Sequence, residues 1–102
     1  MAEITSTEIK QEKAVLIGAS FSPTGVSRVE EYLDELEFLA STLGLDSVKR
    51  YTQKLQRPEP STYIGKGKVD EVREYIRSFN IDVAVFDDDL TPSQLRNLEK
   101  VF

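Results

Sequence analysis

Two lysines alternate with two glycines in the stretch YIGKGK, residues 63–68, just before a segment with helical periodicity. Free backbone N–H groups at a helix start and nearby ammonium groups attract anions such as phosphate. The stretch is not a P-loop, because Val69 follows Gly67 and Lys68 where that motif needs Ser or Thr. It is not a dinucleotide fingerprint either, whose third glycine would stand at Asp70. Two interpretations remain: a positively charged turn that touches phosphate, or a tight turn with solvated lysines.

The basic side chains of the chain are concentrated in one segment. Residues 47–68 carry six basic side chains against one acidic one, a formal charge of +5, although the whole chain carries −5. An acidic protein with one basic region is drawn to a polyanion in a defined orientation. The alternative is a solvated edge strand whose lysines discourage sheet aggregation. The six basic residues are Lys49, Arg50, Lys54, Arg57, Lys66 and Lys68.

Three consecutive carboxylates, Asp87, Asp88 and Asp89, follow the apolar run DVAVF. Ligands of open α/β sheets bind beyond the carboxyl ends of the strands, and carboxylates suit a hard cation such as Mg²⁺. A phosphoacceptor of the receiver-domain kind would need further acids after the first strand, which ends instead in Gly18-Ala19-Ser20. The three aspartates are therefore a possible polar or cation site, or a solvated loop before a helix, and we assign no metal to them.

Composition excludes several classes of chemistry. The 102 residues include neither Cys nor His, which removes disulfides, thiol nucleophiles, zinc sites and imidazole catalysis. With 39% hydrophobic and 30% charged residues, the chain fits one globular domain. The polar start MAEITSTEIKQEK and the lack of any long apolar run predict neither export nor a membrane span, and hence a cytoplasmic protein.

The first half of the chain predicts a central strand followed by a helix. The apolar run KAVLIGA, residues 13–19, is typical of a strand buried on both faces. Apolar residues then recur at helical spacing over about residues 28–43. Ser27 and Glu30 fit a capping box at the start of this helix, and Gly44 fits its end. Residues 1–12 form a polar tail, so we expect the domain to begin at residue 13.

The middle of the chain predicts an exposed strand and a second helix. Residues 48–55 are polar on both faces, which suits an edge strand. The prolines of RPEPST, residues 57–62, predict an extended loop. An amphipathic helix follows the glycines and runs to about Phe79, with Asn80 as a left-handed cap.

The last third predicts a buried strand over 82–86 and a third helix beginning at Thr91 and Pro92, with Gln94 completing a capping box. The order β-α-β-α-β-α implies a three-layer parallel α/β sheet with helices on both faces. The third helix ends in an apolar stripe with no cap, which predicts that a final strand is lacking through truncation. The stripe consists of Leu95, Leu98, Val101 and Phe102.

Two stretches strongly resemble the N-terminal domain of the HflX family of ribosome-associated GTPases: RPEPSTYIGKGKVDEV, residues 57–72, and DVAVFDDDLTPSQLRNLEK, residues 82–100. The specificity of the resemblance lies in two ordered blocks within them, Pro60 through Val69 and Phe86 through Lys100. The resemblance covers about residues 13–102. It implies a parallel α/β domain, followed by a helical linker and a separate G domain, in a GTPase that binds the large ribosomal subunit and helps to split ribosomes. It also implies GTP and Mg²⁺ as cofactors of the full-length protein.

No G-domain motif is present in these 102 residues, so we expect no catalytic residues and no activity from this fragment alone. The alternative is a self-sufficient, ATP-hydrolysing nucleotide-binding domain. The resemblance assigns ribosomal RNA contacts to the basic segment, with Tyr63 stacking on a base. Asp87 to Asp89 match family positions to which it assigns no role, and pinning the adjacent basic loop is the alternative to a polar or cation site. The candidate RNA-binding residues are Arg50, Lys54, Arg57, Tyr63, Gly65, Lys66, Gly67 and Lys68.

Overall fold

The structure, a computed structural model, describes residues 11–21 and 26–102, with backbone only at 26 and 27. The predicted order of strands and helices is confirmed. The Ser27–Glu30 capping box and almost all of the predicted polar tail lie outside the described residues. The elements are β1 (Glu12–Ser20), α1 (Val26–Thr42), β2 (Leu45–Lys54), α2 (Lys66–Phe79), β3 (Val83–Phe86) and α3 (Pro92–Val101).

The three strands form one parallel sheet in the order β2-β1-β3. β1 is central, as its continuous apolar run predicts, and Ala14 to Ile17 are fully buried. Ala14 pairs with Ser47 but Val15 pairs with Lys49, so Val48 is an extra residue that bulges from β2. The chain moves from β1 outward to β2 and then crosses back to β3. Right-handed crossovers in opposite directions put their helices on opposite faces, which gives the predicted three layers.

α1 covers one face of the sheet through a small apolar cluster of Leu16, Val29 and Leu33. Gly18 permits this close packing, because a Cβ atom there would lie 2.8 Å from Cγ1 of Val29. The helix ends at Thr42, and Gly44 terminates it as predicted, with a φ of +83° that is readily adopted only by glycine.

α2 and α3 cover the opposite face, where most of the core lies. Val15 and Ile17 of β1 pack there with Val69, Val72 and Leu98 of the two helices. Asn80 ends α2 in the left-handed region, as predicted, and its N–H donates to the carbonyl of Ile76.

The loop between β2 and α2 is not simply extended. Its residues 59–63 close into a turn: the N–H of Glu59 donates to the carbonyl of Tyr63 at 3.1 Å, and the N–H of Tyr63 donates to the carbonyl of Glu59 at 2.8 Å. α3 holds this turn, since Nε2 of Gln94 donates to the carbonyl of Glu59 at 2.8 Å. Gln94 also completes the predicted capping box with Thr91. One buried side chain therefore links the start of α3 to the loop.

Among the helices described within 26–42 and 66–101, none is both long and apolar enough to cross a lipid bilayer.

Candidate nucleic-acid interface

The N-terminus of α2 is open to solvent. Gly65 is the N-cap residue and offers no side chain to cap the helix. The first intrahelical hydrogen bond is donated by Val69 to the carbonyl of Gly65 at 2.9 Å, so the N–H groups of the three preceding residues have no acceptor within the helix. A Cβ atom on Gly67 would meet nothing within 4 Å. An anion can therefore approach this helix end directly.

The start of α2 is fixed to the end of β2. The N–H of Gly65 donates to Oε1 of Gln53 at 2.8 Å. A Cβ atom on Gly65 would lie only 3.1 Å from Nε2 of the same glutamine, so a larger residue would disturb this contact. Gly65 thus positions the start of α2 against β2, whereas Gly67 leaves space for a ligand to approach the helix end.

Tyr63 is part of the core rather than of the surface. Only 4% of it is exposed, and it has a positive φ of 67°. Its ring makes edge contacts with Phe21 and Phe86, at centroid distances of 5.8 and 6.1 Å. Its hydroxyl donates to Oδ2 of Asp88 at 2.8 Å, and burial together with this bond raises the pKa of Tyr63. The burial argues against the expected stacking of Tyr63 on a base.

The three aspartates lie at the carboxyl end of β3, as expected. Asp88 binds the Tyr63 hydroxyl with one oxygen and accepts the N–H of Asp89 at 2.7 Å with the other, so it pins the basic loop. Burial, and then the nearby charges of Asp88 and Glu35, raise the pKa of Asp87. Asp87 and Asp88 line a cavity of about 350 Å³ with aromatic walls. In the described part of the chain, no group of three or more acidic residues is placed to hold a metal ion.

The basic segment does not form one surface. Arg50 faces α1, where its guanidinium lies 3.2 Å from Glu30 and 2.7 Å from both Asp34 and Glu37. Hydrogen bonds to Glu37 and Asp34 raise the pKa of Arg50 further above its ordinary value. By contrast, three cations are exposed and have no ion pair within residues 11–21 and 26–102: Lys54, Arg57 and Lys66.

Two lysines of the segment lie against aromatic rings instead. The Nζ of Lys49 is 5.6 Å from the ring centre of Tyr51 and 5.8 Å from that of Tyr75. The Nζ of Lys68 is 6.0 Å from the Tyr51 ring and 3.2 Å from Oε1 of Glu71. Lys49 and Tyr75 were not among the candidate residues. The alternation of Lys49 and Tyr51 along a strand was the available signal, because residues two apart share a face.

Comparison with known proteins relates this chain to one family. The family model described as GTP-binding GTPase N-terminal matches residues 30–102. A GTPase HflX of Flavobacterium psychrophilum is 44% identical over 93 residues, which is 91% of this chain and 22% of that protein. A GTPase HflX of Lacrimispora saccharolytica is 38% identical over 100 residues, 97% of this chain and 23% of that protein.

The GTPase HflX of Escherichia coli is 33% identical over 90 residues, 88% of this chain and 20% of that protein. The chain thus spans about a fifth of the length of these curated relatives. Because the family model matches well over half of its residues, the chain belongs to the GTP-binding GTPase N-terminal family, as an HflX-type N-terminal domain.

Proposed function

We propose that this domain docks an HflX-type GTP-binding protein on ribosomal RNA of the large subunit, and that the start of α2 and the loop before it make the contact. The observation that carries the proposal is an uncapped, open helix N-terminus that bears Lys66 and Lys68, in a chain whose net charge is −5. Phosphate contacts of this kind position a protein on RNA without reading its sequence. Lys66 is exposed and has no ion pair among the described residues, and Gly67 provides the open approach. Arg57 is exposed in the loop before α2. Lys54, by contrast, shares the Arg50 side of β2, since residues four apart in a strand point to the same face.

Lys68 also belongs to this surface. Its ion pair with Glu71 lies at the surface and is partly exposed, and surface pairs contribute about 0–1 kcal/mol, so a phosphate competes with Glu71 for Lys68. Arg50 does not contact RNA in this proposal, because three carboxylates of α1 already surround its guanidinium. That acidic face repels RNA and so orients the domain with α2 toward it.

GTP and Mg²⁺ belong to another part of the longer protein in this proposal. The residues present do not fit them: the glycine-lysine turn has no P-loop spacing, and the cavity at the end of the sheet is lined by Asp87 and Asp88 without any basic side chain among its described walls. The fragment is therefore a non-catalytic module that works with a linker and a G domain. Ribosome binding implies a cytoplasmic location, and ribosome splitting is an activity of the whole protein.

A self-sufficient nucleotide-binding domain is the alternative. The cavity lies where β1 and β3 end and the strand order reverses, which is the usual ligand position in this fold class. Its two carboxylates oppose the phosphates of a nucleotide, so docking on RNA is the function that the geometry supports better. Micromolar, Mg²⁺-dependent binding of GTP or ATP by this chain, measured by calorimetry, would favour the alternative.

Replacing Lys66 and Lys68 by alanine tests the docking proposal. We expect weaker co-sedimentation with large ribosomal subunits, and a plot of log affinity against log salt that is shallower by roughly 0.7 to 0.9 per lost phosphate contact. The charge-matched control is Lys13→Ala with Lys100→Ala, two exposed lysines outside the basic segment. Equal binding by both double variants across the salt series, with folding checked by circular dichroism, would refute the proposal.

A further inference from the structure

An aromatic pair lies exposed at the end of α2. The rings of Tyr75 and Phe79 are 4.5 Å apart between centroids and inclined by 34°. Tyr75 is half-buried against the core, but Phe79 is 55% exposed although it belongs to the apolar stripe of the helix. A phenylalanine that is this exposed stabilises the core little, and the part of its surface that Tyr75 does not cover is open to a partner.

Cations accompany the pair. Lys49 lies with its Nζ 5.8 Å from the ring centre of Tyr75, and it has no acidic partner within the described ranges. Lys49 and Lys68 both approach the Tyr51 ring, which lies between the aromatic pair and the start of α2. A strip of lysines and aromatic rings, with Glu71 beside Lys68, therefore runs along α2 from Lys68 to Phe79, over about 16 Å at the rise of an α-helix.

We propose that an unpaired base of the docked RNA stacks on Tyr75 and Phe79, while Lys49 contacts a neighbouring phosphate. This inference rests on the proposed function and makes it specific to single-stranded RNA. Proteins hold single strands by combining a basic track with aromatic rings that accept successive bases. The buried ring of Tyr63 does not offer such a surface, whereas Phe79 is exposed and Tyr75 is half-buried beside it, on the helix that begins at the proposed phosphate-binding turn.

The charge beside the rings favours RNA over an apolar protein surface. A protein that covered Phe79 closely would also desolvate the ammonium group of Lys49 without providing a counter-charge, which costs free energy. A nucleotide covers the ring with its base and meets the ammonium with its phosphate. The same two groups that oppose an apolar partner therefore suit a nucleotide.

Substitution of Phe79 tests stacking separately from charge. The probes are a short single-stranded RNA of mixed sequence, the corresponding duplex, and large ribosomal subunits. We expect Phe79→Ala to weaken binding of the single strand by roughly fivefold or more, the lower end of what one stacked base contributes, with an unchanged salt slope. Phe79→Leu should be as weak, because it keeps apolar volume but loses the ring, and Phe79→Trp should restore binding.

Phe38→Ala is the matched control, since Phe38 is 67% exposed on α1. Among the described residues, no lysine or arginine lies over its ring. Full RNA binding by Phe79→Leu would overturn the stacking proposal. A Phe79→Ala defect that appears with subunits but not with naked RNA would also overturn it, because it would indicate a protein partner. If the lysine double variant loses binding while Phe79→Ala does not, stacking is wrong and the docking proposal stands. If the wild-type chain binds neither RNA nor subunits, both fail.

Discussion

Lys49 and Arg50 are neighbours in the sequence, yet they belong to two chemically different surfaces. Arg50 is held among three carboxylates of α1, whereas Lys49 lies against the rings of Tyr51 and Tyr75 beside α2. Successive residues of a strand point to opposite faces, so a run of basic residues in a strand is divided between the two sides of the sheet. A charged segment in a sequence is therefore not yet a charged surface.

The largest expected effect on stability comes from the face of the sheet that α1 covers, where apolar contacts hold the helix. Leu33 is fully buried between α1 and the sheet. Leu33→Ala should lower the free energy of unfolding by about 2–5 kcal/mol, because it removes buried methyl groups and leaves a cavity. Chemical denaturation measures this, with the exposed Leu43→Ala as control. Similar losses in the two variants would mean that α1 is not held by this cluster.

A pair of single substitutions should separate stability from binding. Arg50→Ala should lower the free energy of unfolding by about 1 kcal/mol or less, since its ion pairs are partly exposed, and the loss should shrink in high salt. It should leave RNA binding intact. Lys49→Ala should do the reverse, weakening RNA binding with little change in thermal stability. Weaker RNA binding by Arg50→Ala would contradict the division into two faces.

The smallest effect should appear in the pH dependence of stability, at Asp87. Because its pKa is raised in the folded protein, the folded state binds a proton more readily than the unfolded state does, and this contribution to stability is lost as pH rises through the folded pKa. Asp87→Asn should therefore raise the melting temperature slightly at neutral pH. The gain should vanish as pH falls below the ordinary value of 3.8. Asp89→Asn, at an exposed position outside the cavity lining, is the control. A gain in melting temperature that does not depend on pH would show that the raised pKa of Asp87 is not its cause.

The sequence predicted what depends on local pattern. The continuous apolar run of β1, the left-handed cap at Asn80 and the Thr91–Gln94 capping box are each decided by a few neighbouring residues, and the structure has all three. The parallel sheet followed from the order of the elements.

The candidate site was harder to predict, because its residues depend on distant partners. Tyr63 reads as a surface residue in a proline-rich loop, but a turn with a positive φ directs its ring inward to Asp88, 25 residues further along. Arg50 reads as part of a basic segment until α1 brings its acids to it. Phe79 fits the buried stripe of α2, and only the packed structure shows that nothing described covers it.

Gln94 gives the loop a property that its own residues do not supply. Its amide caps α3 with one atom and holds the carbonyl of Glu59 with another, across 35 residues of sequence. Local opening of the turn at 59–63 therefore also breaks a contact of α3, so the two should open as one cooperative unit. In the proposed docking on RNA, such a loop is ordered before contact, so binding loses less conformational entropy than it would with a free loop.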